Sequence, residues 1–369
     1  MVPFIDLKRF EPGFLEKWYA IIRKLSVNAQ FVGGVQIETL EHRIKKFCDV
    51  SNVISCANGT DAIQLALRAT GVGPGHEVIV PDLTFWATFE AVVNVGASPI
   101  TVDVSLNDGG IDIEAFREAV LFARPKAAII AHLYGWGTKD LDEIRLICNE
   151  NNVILIEDGA QCFGAIWKSK PIYSNTFIAT TSFYPAKVLG AAGDAGAVFT
   201  NNSKLAEKVR CLSNHGRSSH YGYKYVGWNS RMDSVQAAFL NHAFDYLDDR
   251  IKSRRTSDQY YRKNINVSDV KSMSIPHGYG ENGYCNVMLI EDLEFKSNLE
   301  FALKSAKIGF GNIYPSTISE QVCASKYSKR HFGGQNSKKL AKSVLNLPLF
   351  PHMTTAELKE VVDTVNSAR

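Results

Sequence analysis

Four short segments carry residue types that could do chemistry together. In Ile154-Leu155-Ile156-Glu157-Asp158-Gly159-Ala160-Gln161, an apolar run delivers acids at its end. In an open α/β sheet that edge is where ligands bind. A carboxylate there can pair with the ring nitrogen of a pyridine cofactor and keep it protonated, which makes the ring an electron sink. A surface acid or a helix cap just past the strand fits the same residues. Further on, Thr181-Ser182-Phe183-Tyr184-Pro185-Ala186-Lys187 places a lysine between an aromatic-rich strand end and the glycines Gly190, Gly193 and Gly196. Shelter from water favours the free amine needed to form an imine. A solvated loop lysine is the ordinary alternative.

Upstream, Ser55-Cys56-Ala57-Asn58-Gly59-Thr60-Asp61 joins a strand to a helix. Glycine lets backbone approach a ligand, and a helix N-terminus offers free N–H groups to an anion. Thr60 can add a hydroxyl to a phosphate, although a plain tight turn reads the same. No Gly-Lys-Ser/Thr follows and there is no GxGxxG, so neither a Walker loop nor a dinucleotide fold is indicated. Phe85 and Trp86, in Asp82-Leu83-Thr84-Phe85-Trp86-Ala87-Thr88, sit where a ring could stack on a flat cofactor, or could simply fill the core.

These segments need a scaffold that delivers strand ends to one place. From about residue 50 to 200, short apolar runs alternate with amphipathic stretches. Strands are expected at Val53 to Cys56, Glu77 to Pro81, Ile100 to Val104, Ala127 to Leu133 and Val153 to Ile156. Helices are expected between them, at Thr60 to Ala69, Ala87 to Val95 and Glu114 to Ala123, with a stripe of Leu141, Ile144, Ile147 and Cys148. Such alternation implies a mostly parallel mixed sheet sandwiched by helices, hence an α/β fold. Beyond residue 200, Ser203 to Ser213 reads as a helix and Met232 to about Lys263 as one long helix. A short strand is expected at Leu345 to Phe350, and a terminal helix over Thr355 to Val365, capped by Thr354 or Thr355. The expected division is an N-terminal segment (1–30) packing on the small domain, a large domain (31–245) and a smaller α/β domain (246–369).

Composition excludes several classes. The net charge of +3 and the lack of dense basic runs argue against a nucleic-acid partner. No apolar run approaches the roughly 18 residues that span a bilayer. The N-terminus carries charges at Asp6 and Lys8 with no apolar stretch after them, so no signal peptide is expected. The 7 cysteines are scattered without close pairs, which fits free thiols in a reducing cytoplasm and no metal site.

Taken in order, the segments resemble the sugar-nucleotide aminotransferases of the DegT type, a branch of fold-type-I pyridoxal-phosphate enzymes. The likeness starts at Phe31-Val32-Gly33-Gly34 and Glu38 to Glu41. It continues through CANGTDAIQLAL (56–67), PDLTFWAT (81–88), IEDGAQCFGA (156–165) and SFYPAKVLGAAGDAGA (182–197). VGWNSRMDSVQAAFL (226–240) and LNLPLFP (345–351) complete it. The resemblance implies pyridoxal 5′-phosphate as cofactor, with pyridoxamine 5′-phosphate as the form between two half-reactions. It implies Lys187 as the imine-forming lysine and proton shuttle, and Asp158 as the partner of the ring nitrogen. Gln161 would meet the phenolic oxygen, Gly59, Thr60 and Ser182 the phosphate, and Phe85 the ring face, with Trp86 as the rival for that place. Asn229 would reach the phosphate from the other subunit of a homodimer with shared active sites. Tyr184, Arg231 and Tyr314 would meet the substrate, Arg231 and Tyr314 at the diphosphate, where a planar guanidinium binds bidentately.

By the same resemblance, L-glutamate is the amino donor, leaving 2-oxoglutarate. The acceptor is a nucleotide-diphospho sugar with a 3-keto or 4-keto group, and the product serves surface polysaccharide assembly. Related dehydratases carry histidine where Lys187 stands, so amination is expected rather than dehydration. A non-catalytic sensor on the same fold is the other alternative, against which the retained Lys187, Asp158, Gln161 and Ser182 argue. One departure stands out: many relatives have histidine where this chain has Ser319, which puts an inherited nucleotide contact there in doubt.

Overall fold

The computed structural model describes residues 1–328 and 330–368. Its centre is an eight-stranded sheet of β1 (Asn52–Cys56), β2 (Glu77–Pro81), β3 (Ser98–Val102), β4 (Ala127–Ala131), β5 (Ile154–Asp158), β6 (Ile178–Ser182), β7 (Gly196–Thr200) and β8 (Arg330–Phe332). The spatial order is β1-β7-β6-β5-β4-β2-β3-β8. Only β7 runs against its neighbours in this sheet.

Both faces are covered, which explains strands that are apolar throughout rather than alternating. Side chains of successive residues point to opposite faces. Ile54, Val78, Val80, Ala127, Ile129 and Ile156 therefore face α3 (Gly59–Ala69), α4 (Trp86–Asn94) and α7 (Ser203–Ser213). Val53, Ile79, Ala128, Ile130 and Leu155 face the opposite core. That core is built by α1 (Phe14–Val27), α2 (Val35–Cys48), α5 (Ile113–Ala123), α6 (Leu141–Glu150) and α8 (Ser234–Phe244). A separate core joins Val2 to α9 (Leu247–Asn264), α10 (Leu293–Ser305) and α12 (Thr355–Ser367), beside a three-stranded sheet of residue pairs 271–272, 288–289 and 344–345, the last of which follows α11 (Gln335–Ser343). Thr354 caps α12 in a reciprocal box with Glu357.

Several expectations need correction. The long helix expected from Met232 to Lys263 is two helices, broken at Asp245 and Tyr246, whose amides turn back to His242 and Ala243. No glycine or proline marks the break. Packing makes it, because α8 buries Ala237, Leu240 and Ala243 under the large sheet while α9 carries Tyr261 into the separate core. The strand expected over Leu345 to Phe350 is confined to Val344–Leu345, since prolines 348 and 351 have no N–H to give a ladder. The N-terminal stretch is split. Val2 bridges to Ile308 and Arg9 pairs with Glu357, but Phe14 and Trp18 of α1 pack on Phe239 of α8. The sheet's last strand, β8, comes from far along the chain and pairs with β3, and no local pattern announces that partner.

Candidate active site

At the C-terminal edge of the parallel strands a cavity of about 760 Å³ opens, as open α/β sheets dictate. Nine of the residues singled out in the sequence line it: Gly59, Thr60, Phe85, Asp158, Gln161, Ser182, Tyr184, Lys187 and Tyr314. Asn229 and Arg231 do not. Both are exposed and neither lines the cavity of its own chain, although Ser230 between them donates to Asp61 at its wall.

Strand alternation separates the two acids at the end of β5. Glu157 turns away from the cavity and accepts from Arg145 Nε at 3.0 Å and Nη2 at 2.9 Å, with His132 Nε2 3.0 Å away. Burial pushes Glu157 up, but those two bases hold it below its ordinary value. Asp158 faces the cavity. It accepts the Thr88 hydroxyl at 2.9 Å and the Ala160 N–H at 3.1 Å. Burial raises its carboxyl above the usual range, against those hydrogen bonds and the charge of Lys187. A buried carboxylate without a basic hydrogen-bond partner is costly unless a cation arrives beside it.

Lys187 follows β6 in a turn closed by its own N–H to Tyr184 O. Its Nζ lies 3.4 Å from the Tyr284 hydroxyl, its one side-chain polar contact among the described residues, and it lines the cavity. At the opposite wall, Asn58 caps α3 by accepting the Asp61 N–H at 2.8 Å. The amides of Gly59 and Thr60, in the first turn, have no intrahelical acceptor. Gly59 is a close-approach position, because a Cβ there would meet Ser182 Cβ at 2.8 Å. Two strand ends thus press the amides of α3 and the Ser182 hydroxyl into one polar corner.

Phe85 and Trp86 differ in burial, and only Phe85 lines the cavity. Trp86 packs on Phe89 with centroids 4.8 Å apart, whereas Phe85 lines the cavity 59% exposed, its ring 6.2 Å from that of Tyr314. Gln161 is held at both ends. Its carbonyl accepts the Tyr134 N–H at 2.6 Å and its amide donates to the Tyr314 hydroxyl at 2.8 Å. Ser319 lies outside the cavity lining. Its N–H and hydroxyl donate to Asp82 Oδ1 and Oδ2 at 2.8 and 2.9 Å, which ties the segment carrying Tyr314 to the end of β2. Sequence reasoning missed Thr84, Thr88, His132, Asp194 and Tyr284. Thr84 and Thr88 lie inside the PDLTFWAT segment, while Tyr284 sits in a loop without periodicity.

The DegT/DnrJ/EryC1/StrS aminotransferase family matches residues 16–366. The chain belongs to that family. Over 97% of this chain and 98% of the relative, it is 34% identical to a UDP-2-acetamido-2-deoxy-3-oxo-D-glucuronate aminotransferase of Pseudomonas aeruginosa. Among solved structures, DesV of S. venezuelae, in complex with a ketimine intermediate, superposes with a TM-score of 0.94 at 29% identity, covering 99% of this chain and 97% of that one. NtdA of Bacillus subtilis, with bound cofactor PMP, gives 0.89 at 26% identity, covering 99% and 84%. The cofactor of this family member is pyridoxal 5′-phosphate, and the cavity fits it. A buried carboxylate asks for a cationic ring nitrogen, the polar corner at α3 suits a phosphate, and an open amine faces the same cavity. No cluster able to hold a metal ion occurs among the described residues, and no described helix is long and apolar enough to cross a membrane.

Proposed function

We propose that this aminotransferase transfers the amino group of L-glutamate to a nucleotide-diphospho 3-keto sugar, in the cytoplasm and as a homodimer with shared active sites. The observation that carries the catalytic reading is Lys187 Nζ opening on the same cavity as buried Asp158. When bound, pyridoxal phosphate supplies an electron-sink ring that stabilises the carbanion beside the reacting nitrogen. Asp158 holds a proton at the ring nitrogen. Gly59, Thr60 and Ser182 hold the phosphate, Phe85 covers the ring, and Gln161 is positioned for the phenolic oxygen by Tyr134 and Tyr314. Lys187 Nζ moves the proton from the donor carbon, oriented by Tyr284, a role worth ~10²–10⁴ in rate.

The 3-keto preference rests on the name of the Pseudomonas relative, which specifies a 3-oxo substrate. The dimer reading rests on Asn229 and Arg231, which are exposed and outside the cavity of their own chain. On this reading each reaches the neighbouring subunit's cavity, and exposed Phe31, Val32, Val35 and Val226 lie in the same interface. Tyr184, half-exposed at the cavity mouth, would meet the substrate.

The test is a visible absorbance spectrum of the purified protein with and without excess L-glutamate. A yellow band that bleaches with glutamate and returns with a UDP-3-keto sugar supports the reading. A band indifferent to glutamate would refute the donor. Loss of the band in Lys187→Ala is expected, and normal turnover of that variant would sink the assignment.

A further inference from the structure

Behind Lys187 lies a second, much smaller cavity, of about 80 Å³, between the N-terminal segment, the Lys187 turn and α9. Leu7, half-exposed, lines it towards solvent. Three guanidinium groups, of Arg9, Arg250 and Arg254, the Lys187 side chain and one carboxylate, Asp6, also line it.

Three of these groups are satisfied. Asp6 accepts from Arg9 at 3.2 Å and from the Lys8 N–H at 2.9 Å. Arg9 pairs with Glu357 at 2.7 Å, and Arg250 with both oxygens of Glu11 at 2.7 and 2.6 Å. Arg254 differs. It is 4% exposed, yet it has no carboxylate partner among the described residues. Its Nη1 reaches only the carbonyls of Leu349 at 3.1 Å and Gly283 at 3.4 Å, and its Nε has no partner. A buried charge left unpaired is strongly unfavourable. Burial, aided by the Arg250 charge, holds the Arg254 guanidinium down at about 10.

We propose that this crevice is a binding site for a small monovalent anion, chloride or a carboxylate group, held by the free edge of Arg254. The volume suits a group of a few heavy atoms and excludes a nucleotide sugar. A guanidinium offers a forked set of donors suited to either anion. The occupant neutralises Arg254 and sits beside the residue that performs the chemistry. It therefore couples the N-terminal segment and α9 to the Lys187 turn.

The test is diffraction from bromide-soaked crystals of the full chain with its cofactor, with anomalous scattering locating bromide. Bromide within hydrogen-bond distance of Arg254 is expected. If excess L-glutamate displaces it, the occupant is a carboxylate; if it persists, a halide. Only the glutamate arm rests on the amino-donor reading above, so a failed donor leaves the bromide result standing. Bromide at exposed lysines with none at Arg254 overturns the proposal. In solution, chloride is expected to raise Tm of the native chain, and Arg254→Lys, which keeps the charge but loses the fork, to lose most of that rise. An unchanged chloride dependence in that variant also overturns it.

Discussion

Thr88 donates its hydroxyl to Asp158 Oδ2 at 2.9 Å, joining the first turn of α4 to the end of β5. A hydrogen bond to a charged acceptor contributes about 1.5–3 kcal/mol. Thr88→Val keeps the shape and the β-branch but removes the donor. The variant is expected to fold and to bind pyridoxal phosphate about tenfold more weakly, or worse, since 1.4 kcal/mol is a factor of ten in affinity. Absorbance titration of the apo protein with cofactor measures this. An unchanged affinity would show that Ala160 alone keeps Asp158 in place.

Asp158 itself sets function against stability. In the chain without cofactor, burial raises its carboxyl above the ordinary 3.8, against its hydrogen bonds. Folding therefore takes up a proton at pH values between 3.8 and the raised folded value. Stability is highest below that window, falls as pH rises through it, and stays lower above it. Asp158→Asn has no charge to bury. Its apo form is expected to melt higher than the native apo protein at neutral pH, with the gap closing under acid, while transamination is lost. Melting curves at acid and neutral pH, with an activity assay, check both halves.

Ser319 acts as a latch. Because its hydroxyl donates to Asp82, Ser319→Ala leaves one buried carboxylate oxygen short of a donor, at a cost of about 1–3 kcal/mol. Burial already raises Asp82, and both bonds from Ser319 oppose that rise. The latched segment carries Tyr314, so KM for the sugar nucleotide is expected to rise more than kcat falls. A lowered Tm with unchanged KM would confine Ser319 to a stabilising role.

The N-terminal segment is fastened by an ion pair with a definite acid limit. The hydrogen bond from Arg9, together with Thr354, holds Glu357 down at about 2 from an ordinary 4.5. This contribution is fully present above pH 4.5 and disappears as pH falls towards 2. Glu357→Gln is therefore expected to be less stable than the native chain at neutral pH, with the difference shrinking below pH 4.5. Denaturant melts across that range measure it. A constant difference would assign the loss to the cap of α12 rather than to charge.

Much of this protein was legible in its sequence, because the signals are local. Apolar runs followed by polar turns located the first five strands of the large sheet, and a threonine cap at 354 or 355 located α12. Contiguous segments also carried the residues that meet in the cavity, since a parallel sheet brings strand ends to one edge by construction. What the sequence could not decide depended on partners distant along the chain. Burial, not residue type, chose Phe85 over Trp86 for the cavity. Packing on two different cores broke the helix at Asp245. Long-range pairing brought Arg330–Phe332 to the edge of the large sheet, tied Ser319 to Asp82, and left Arg254 buried without a counter-charge among the described residues. Periodicity and propensity report only on a residue's near neighbours, whereas such contacts exist only once the chain has closed on itself.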